Sequence, residues 1–221
     1  MLYLYGLIEK RLLPDRCGLD GAPLTRVDAD GISAVTSELG QAPTICEESL
    51  WEHESVLEAL MQDGPVLPVR FGVVFESERE LRHELDARSA QLAWALERVR
   101  GKVEIGVRVV PTAEPPSPAI ADHPLGAGAR YLHSRLQRKR DAAERSRPVH
   151  EALAPLAAAT RARLLPQADT LSSAAFLVDA AAVAAFEREA ARIERSSAGI
   201  AILCTGPWPP YNFVDPDWGE Q

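Results

Sequence analysis

The chain has 221 residues, 46% hydrophobic and 25% charged, with a mean hydropathy of −0.12, a balance that suits a soluble globular protein of one or two domains and excludes a disordered one. Its apolar runs, such as 174–178 and 180–186, fall well short of the roughly 20 residues that cross a bilayer, and the start of the chain lacks a signal-peptide pattern, so a cytoplasmic protein with no lipid-membrane partner is expected. A net charge of −8 argues against a general nucleic-acid binder, and three separated cysteines (Cys17, Cys46, Cys204) offer neither a disulfide framework nor a paired zinc motif.

In chain order, residues 2–8 form a short apolar run rich in aromatic residues that suits a buried first strand. Residues 11–19, interrupted by Pro14 and Gly18, read as a connector. The segments 23–28 and 32–36 flank Asp30-Gly31, a dipeptide that turns hairpins. A helix is predicted over 47–63: Leu50, Leu57, Leu60 and Met61 share a face, Glu47 and Glu48 suit its N-terminal end, and Gly64-Pro65 stops it. Residues 66–75 predict one strand. Residues 77–99 predict one long helix, with Leu81, Leu85, Leu92, Leu96 and Val99 in a stripe and Ser77 and Glu80 spaced as a capping box. Residues 102–110 turn Val103, Ile105, Val107 and Val109 to one side, as a half-covered strand would. This order of elements suits an α+β domain, an antiparallel or mixed sheet with helices on one face.

Five prolines between 111 and 124 mark a linker. The chain is therefore divided into a first α+β domain (1–112), a proline-rich linker or loop (113–125), a second, helix-rich α+β domain (126–206) and an extended tail (207–221). Within the second domain the expected elements are a helix over 129–147, a helical segment over 149–165 divided from it by Pro148, a strand over 170–178, a helix over 180–196 and a strand over 199–205. No internal repeat is strong enough to assert.

The tail is the most specific segment. Pro207, Pro209 and Pro210, interleaved with Trp208, Tyr211 and Phe213, restrict the backbone to extended or turned states, so holding three large rings in one arrangement costs little entropy. Two readings stand: a clasp on the chain's own domain, or an anchor for a partner.

The decapeptide Thr205-Gly206-Pro207-Trp208-Pro209-Pro210-Tyr211-Asn212-Phe213-Val214 resembles the C-terminal signature of the GvpL/GvpF family of gas vesicle proteins. Three further stretches agree in order: Leu2-Tyr3-Leu4-Tyr5-Gly6, Pro68-Val69-Arg70-Phe71-Gly72-Val73-Val74-Phe75, and Gly126-Ala127-Gly128-Ala129-Arg130-Tyr131-Leu132. The resemblance implies two α+β domains of ferredoxin-like character. It also implies a non-enzymatic accessory protein of vesicle assembly, without cofactor or metal, whose partners are the hydrophobic shell protein and other accessory vesicle proteins. Association with the vesicle, on its gas-facing side, is a further implication. Residues expected to contact the partner are Arg70, Phe71, Trp208, Pro209, Pro210, Tyr211 and Phe213, with strand addition at a sheet edge as a second contact. The alternative is a small-molecule-binding or enzymatic α+β protein with its site between the two domains.

No catalytic constellation stands out. His53 lies on the apolar face of its helix and reads as a satisfied interior or boundary histidine rather than a ligand, and His53-Glu54 lacks the second histidine of a zinc protease. Gly126-Ala127-Gly128 lacks the features that complete a nucleotide loop and reads as a flexible helix entry. Arg70, between Val69 and Phe71, is either paired internally or open to a ligand, and internal pairing is the expectation. The basic run Arg135, Arg138, Lys139, Arg140, Arg145 and Arg147 reads as a solvated helix face, with an acidic protein or phosphate as alternative partners.

Overall fold

Strand β1 (Leu2–Glu9) organises the first sheet because it is apolar on both sides. Leu2, Leu4 and Leu7 join one core cluster, and Tyr3, Tyr5 and Ile8 join the other. The step from two to three residues in that alternation coincides with a register shift between Leu4 and Gly6, a β-bulge. Gly6 is required there: a Cβ would stand 2.9 Å from both Leu57 Cδ2 and the Leu67 carbonyl oxygen. The computed structural model describes residues 1–112, 126–164 and 170–214.

Strands β2 (Thr25–Ala29) and β3 (Ile32–Glu38) form the expected hairpin, with Asp30 at φ 43° and Gly31 at φ 82° supplying the two positive dihedrals of its turn. β3 runs antiparallel to β1. On the opposite side of β1 lie β4 (Val66–Pro68) and β5 (Val74–Phe75), giving a sheet of order β2-β3-β1-β4 with β5 also on β1. The single strand expected over 66–75 is thus two. Proline cannot donate to the ladder, and Gly72, at φ 97°, turns the chain back. The ends of the excursion stay tied to β1, Val69 N donating to Tyr5 O and Leu4 N to Val73 O, both at 3.0 Å.

Helix α1 (Glu47–Gln62) covers the tyrosine face with Val56, Leu57 and Leu60. Arg11 donates to the carbonyls of Leu60, in its last turn, and Pro65, beyond its end. Helices α2 (Glu78–Ala87) and α3 (Ser89–Val99) cover the leucine face with Leu81, Leu85, Leu92, Leu96 and Val99. Helices therefore lie on both faces of the sheet, not one. The single helix expected over 77–99 breaks at Arg88, φ −118° and ψ 8°, where an arginine occupies the turn between Leu85 and Leu92. Ser77 does cap it, accepting from Glu80 N, while the Glu80 carboxylate accepts from Glu76 N rather than completing a box with Ser77.

The second sheet has the order β7-β8-β6-β9, built from β6 (Lys102–Pro111), β7 (Ala159–Leu164), β8 (Ser172–Asp179) and β9 (Ile200–Trp208). Helices α4 (Ala127–Leu153) and α5 (Val183–Ser196) complete a β-α-β-β-α-β unit, the ferredoxin-like succession. α4 runs unbroken through Pro148. The helix expected to continue to 165 ends at Leu153, and 159–164 pairs antiparallel with β8 instead. Counted by order in the chain, the four main strands of both sheets lie second, third, first, fourth. In the first sheet a connector containing a short 3-10 turn (Leu19–Gly21) replaces the first helix. Contacts divide the chain into two compact units, Met1–Glu104 together with the segment from Trp208, and Ile105–Pro207. The expected linker, 113–125, lies outside the described residues.

Candidate functional site

The candidate site grows from β1. His53 Nε2 lies 3.0 Å from the Val69 carbonyl, which only accepts, so that nitrogen carries the proton and Nδ1 accepts from the Tyr3 hydroxyl at 2.7 Å. Tyr3 Oη in turn accepts from Gly72 N at 3.3 Å. This relay ties β1, α1 and the excursion between β4 and β5 into one block. Phe71 completes it, its ring centroid 5.8 Å from those of Tyr3 and His53. His53 is 2% exposed, and burial lowers its pKa to about 4, so the imidazole is neutral and both nitrogens are engaged. The histidine is the satisfied interior residue that its helix face predicts.

Arg70 departs from expectation. Its side chain is exposed, and among the described residues its guanidinium has no hydrogen-bonding or ionic partner. The turn that breaks the strand moves position 70 off the sheet, so no internal carboxylate is needed.

The tail docks on the first unit. Tyr211 Oη donates to Glu54 Oε2 at 2.9 Å, and Asn212 donates from N and Nδ2 to the Glu104 carboxylate at 2.8 and 2.6 Å. Pro209, Pro210 and Phe213 are buried beneath it. Burial raises the pKa of both Glu54 and Glu104, and burial together with Glu54 raises that of Tyr211. Glu54 Oε1 is buried with no hydrogen-bond partner.

Between the tail, the 69–73 excursion and the start of α1 lies a cleft of about 700 Å³, lined by Ile45, Cys46, Glu47, Leu50, Trp51, His53, Glu54, Arg70, Phe71, Trp208 and Tyr211. Ile45 is 76% exposed, Trp51 61% and Leu50 43%. Cys46 caps α1, and hydrogen bonding with Ser49 lowers its thiol pKa. Of the residues singled out from sequence, Arg70, Phe71, Trp208 and Tyr211 meet in this cleft, while Pro209, Pro210 and Phe213 form the underside of the strap. Sequence reading missed Ile45, Trp51 and Glu54. The available signal was Trp51, off the face that Leu57 and Leu60 share; Leu50, expected on that face, is instead exposed in the cleft. Among the described residues no group of three or more His, Cys, Asp or Glu could hold a metal ion, and no helix is long and apolar enough to cross a membrane.

Both the fold and the sequence are similar to those of known proteins. Crystal structures of GvpF from Anabaena sp. and Microcystis aeruginosa each superpose with a TM-score of 0.78, at 24% and 21% identity. Each match covers 97% of this chain, and 95% and 98% of the respective neighbour. Gas vesicle protein F1 of Halobacterium salinarum is 29% identical over 226 residues, spanning 100% of this chain and 95% of the relative. Gas vesicle protein L of a Streptomyces species is 33% identical over 183 residues, spanning 73% of this chain and 67% of the relative. The profile of the family described as gas vesicle synthesis protein GvpL/GvpF matches residues 1–215, a span that holds both sheets, the Arg70-Phe71-Gly72 turn and the docked aromatic strap; the chain belongs to that family.

Proposed function

We propose that this protein is a non-catalytic accessory factor of gas vesicle assembly that holds the hydrophobic shell subunit in the cleft beside α1. The observation that carries the proposal is the cleft itself: exposed Ile45, Leu50 and Trp51 beside Phe71 and Trp208, with the unpartnered Arg70 guanidinium at the rim. Buried aromatic anchors with an arginine are the composition of protein-binding hot spots. A shell subunit exposes apolar surface before it polymerises, and covering that surface delays its aggregation or seeds growth.

The full engagement of His53, the histidine of the cleft, supports binding rather than turnover. Both His53 nitrogens are occupied, and Glu54 accepts from Tyr211 through Oε2 alone. Other accessory vesicle proteins are further partners in this reading. The protein acts in the cytoplasm on the growing vesicle and stays associated with it, on the gas-facing side.

Co-purification with the shell subunit tests the proposal. The tagged protein is expected to retain the subunit, and a Phe71→Ala/Trp208→Ala double variant should retain at least tenfold less while keeping its circular dichroism. Capture that is unchanged in the folded double variant removes the cleft from the account. Absence of capture by the unaltered protein removes shell binding, and saturable turnover of a metabolite removes the non-catalytic reading.

A further inference from the structure

Among the described residues, helix α4 is anchored by its second half. Ala142, Ser146, Val149 and Leu153 are buried, whereas every described side chain from Leu132 to Asp141 except Ser134 is exposed. That exposed stretch is about 15 Å long at the helical rise. It carries Leu132 and Leu136, 59% and 57% exposed, one turn apart and so on the same face. Arg135 and Lys139 run along one flank of this pair, each three residues beyond a leucine, and Arg140 follows Leu136 by four.

Arg145 is held by the Gly199 carbonyl and Arg147 lies 3.9 Å from Glu151. In contrast, Arg135, Arg138, Lys139 and Arg140 have no hydrogen-bonding or ionic partner among the described residues. Asp141, the acid nearest to them in sequence, accepts from Gln137 at 2.9 Å. A chain of net charge −8 thus concentrates four unneutralised cations within six positions, around two exposed leucines.

We propose that the Leu132–Asp141 stretch of α4 is a docking ridge for an acidic amphipathic helix of a partner protein, whose apolar stripe packs on Leu132 and Leu136 and whose carboxylates meet Arg135, Lys139 and Arg140. The proposal is independent of the cleft beside α1. Charge complementarity selects an acidic partner, and the leucines select a polypeptide. Nucleic acid would use the cations and leave the leucines in water. An anionic bilayer would oppose the acidic remainder of the chain and gain only two leucines of insertion.

The test uses the full chain and a fluorescent helical peptide of about 20 residues with a leucine stripe flanked by glutamates, long enough to hold helix when bound. Measured by anisotropy, binding should weaken at least tenfold in Leu132→Ser/Leu136→Ser, and equally in Arg135→Glu/Lys139→Glu. Raising salt from low to physiological ionic strength should also weaken it, since the Debye length falls to about 8 Å. These side chains are exposed, so the variants are expected to unfold at the temperature of the unaltered protein. The proposal is overturned if the serine variant binds normally, if a scrambled peptide of equal charge binds as tightly, or if phosphatidylserine vesicles or poly-uridine RNA bind in preference to the peptide. Should a variant fail to fold, the scrambled-peptide and salt arms on the unaltered chain still decide.

Discussion

His53 contributes an acid-sensitive part of the first unit's stability. Its folded pKa, about 4, lies below the ordinary 6.5 of an exposed imidazole, so between those values the unfolded chain binds the extra proton. Stability from this group is fully present above pH 6.5 and is lost as pH falls toward 4. From pH 7 to pH 5 the expected loss is about 2 kcal/mol. Glu54 and Glu104 act in the opposite sense: their pKa values are raised in the fold, so protonation on acidification relieves a buried charge. The diagnostic is therefore His53→Gln, which retains hydrogen-bonding capacity without titrating. Urea unfolding of this variant should lose about 2 kcal/mol of the pH 7 to pH 5 dependence, and an unaltered slope would assign it elsewhere. At this scale the sequence is informative where a residue's neighbours are local. The interior placement of His53 follows from Leu57 and Leu60 on its own helix. The exposure of Arg70 does not, because it depends on Gly72 turning a strand that periodicity extends through it.

At the scale of elements, the β-bulge in β1 and the turn of the β2–β3 hairpin make separable demands on glycine. At Gly31 an added Cβ meets open space, so Gly31→Ala faces only the backbone cost of its φ of 82°, about 1 kcal/mol. At Gly6 the same methyl would meet Leu57 and the Leu67 carbonyl, so Gly6→Ala should cost about 1–3 kcal/mol by overpacking. Chemical unfolding of the two variants orders them, and a Gly31→Ala variant that is the weaker of the two would refute the bulge argument. The hairpin, α1, β6 and α5 were legible because each shows its own period and punctuation. β7 was not: Thr160, Arg161 and Ala162 are exposed on an edge strand and show no apolar alternation, so only pairing with β8 defines it. The turn at Arg88 was hidden for a related reason, since Leu81 to Val99 keep one helical phase on either side of it.

For the whole molecule, the tail decides what the first unit is. Removing the chain from Trp208 onward would strip the buried Phe213, leave Glu104 without Asn212 and delete two walls of the cleft. Loss of one buried phenylalanine alone costs about 3–5 kcal/mol. The truncated chain should unfold at lower denaturant and fail to retain the shell subunit; stability within 1 kcal/mol of the full chain would show that the strap is dispensable. Sequence reading reached the strap and the turn as separate motifs. What seats the strap, Tyr211 on Glu54 of α1 and Asn212 on Glu104 of β6, spans more than a hundred positions, and no periodicity reports a contact at that distance.

The discontinuity of the first unit also fixes a timetable. A ribosome making this polypeptide releases β1, α1 and the Arg70 turn early, but the groove they border stays open on one side until Trp208 and Tyr211 emerge, after Ile105–Pro207 has been translated. A nascent or prematurely terminated product would therefore present an unfinished seat, and a client protein that requires all its walls would engage only chains whose synthesis has passed the strap.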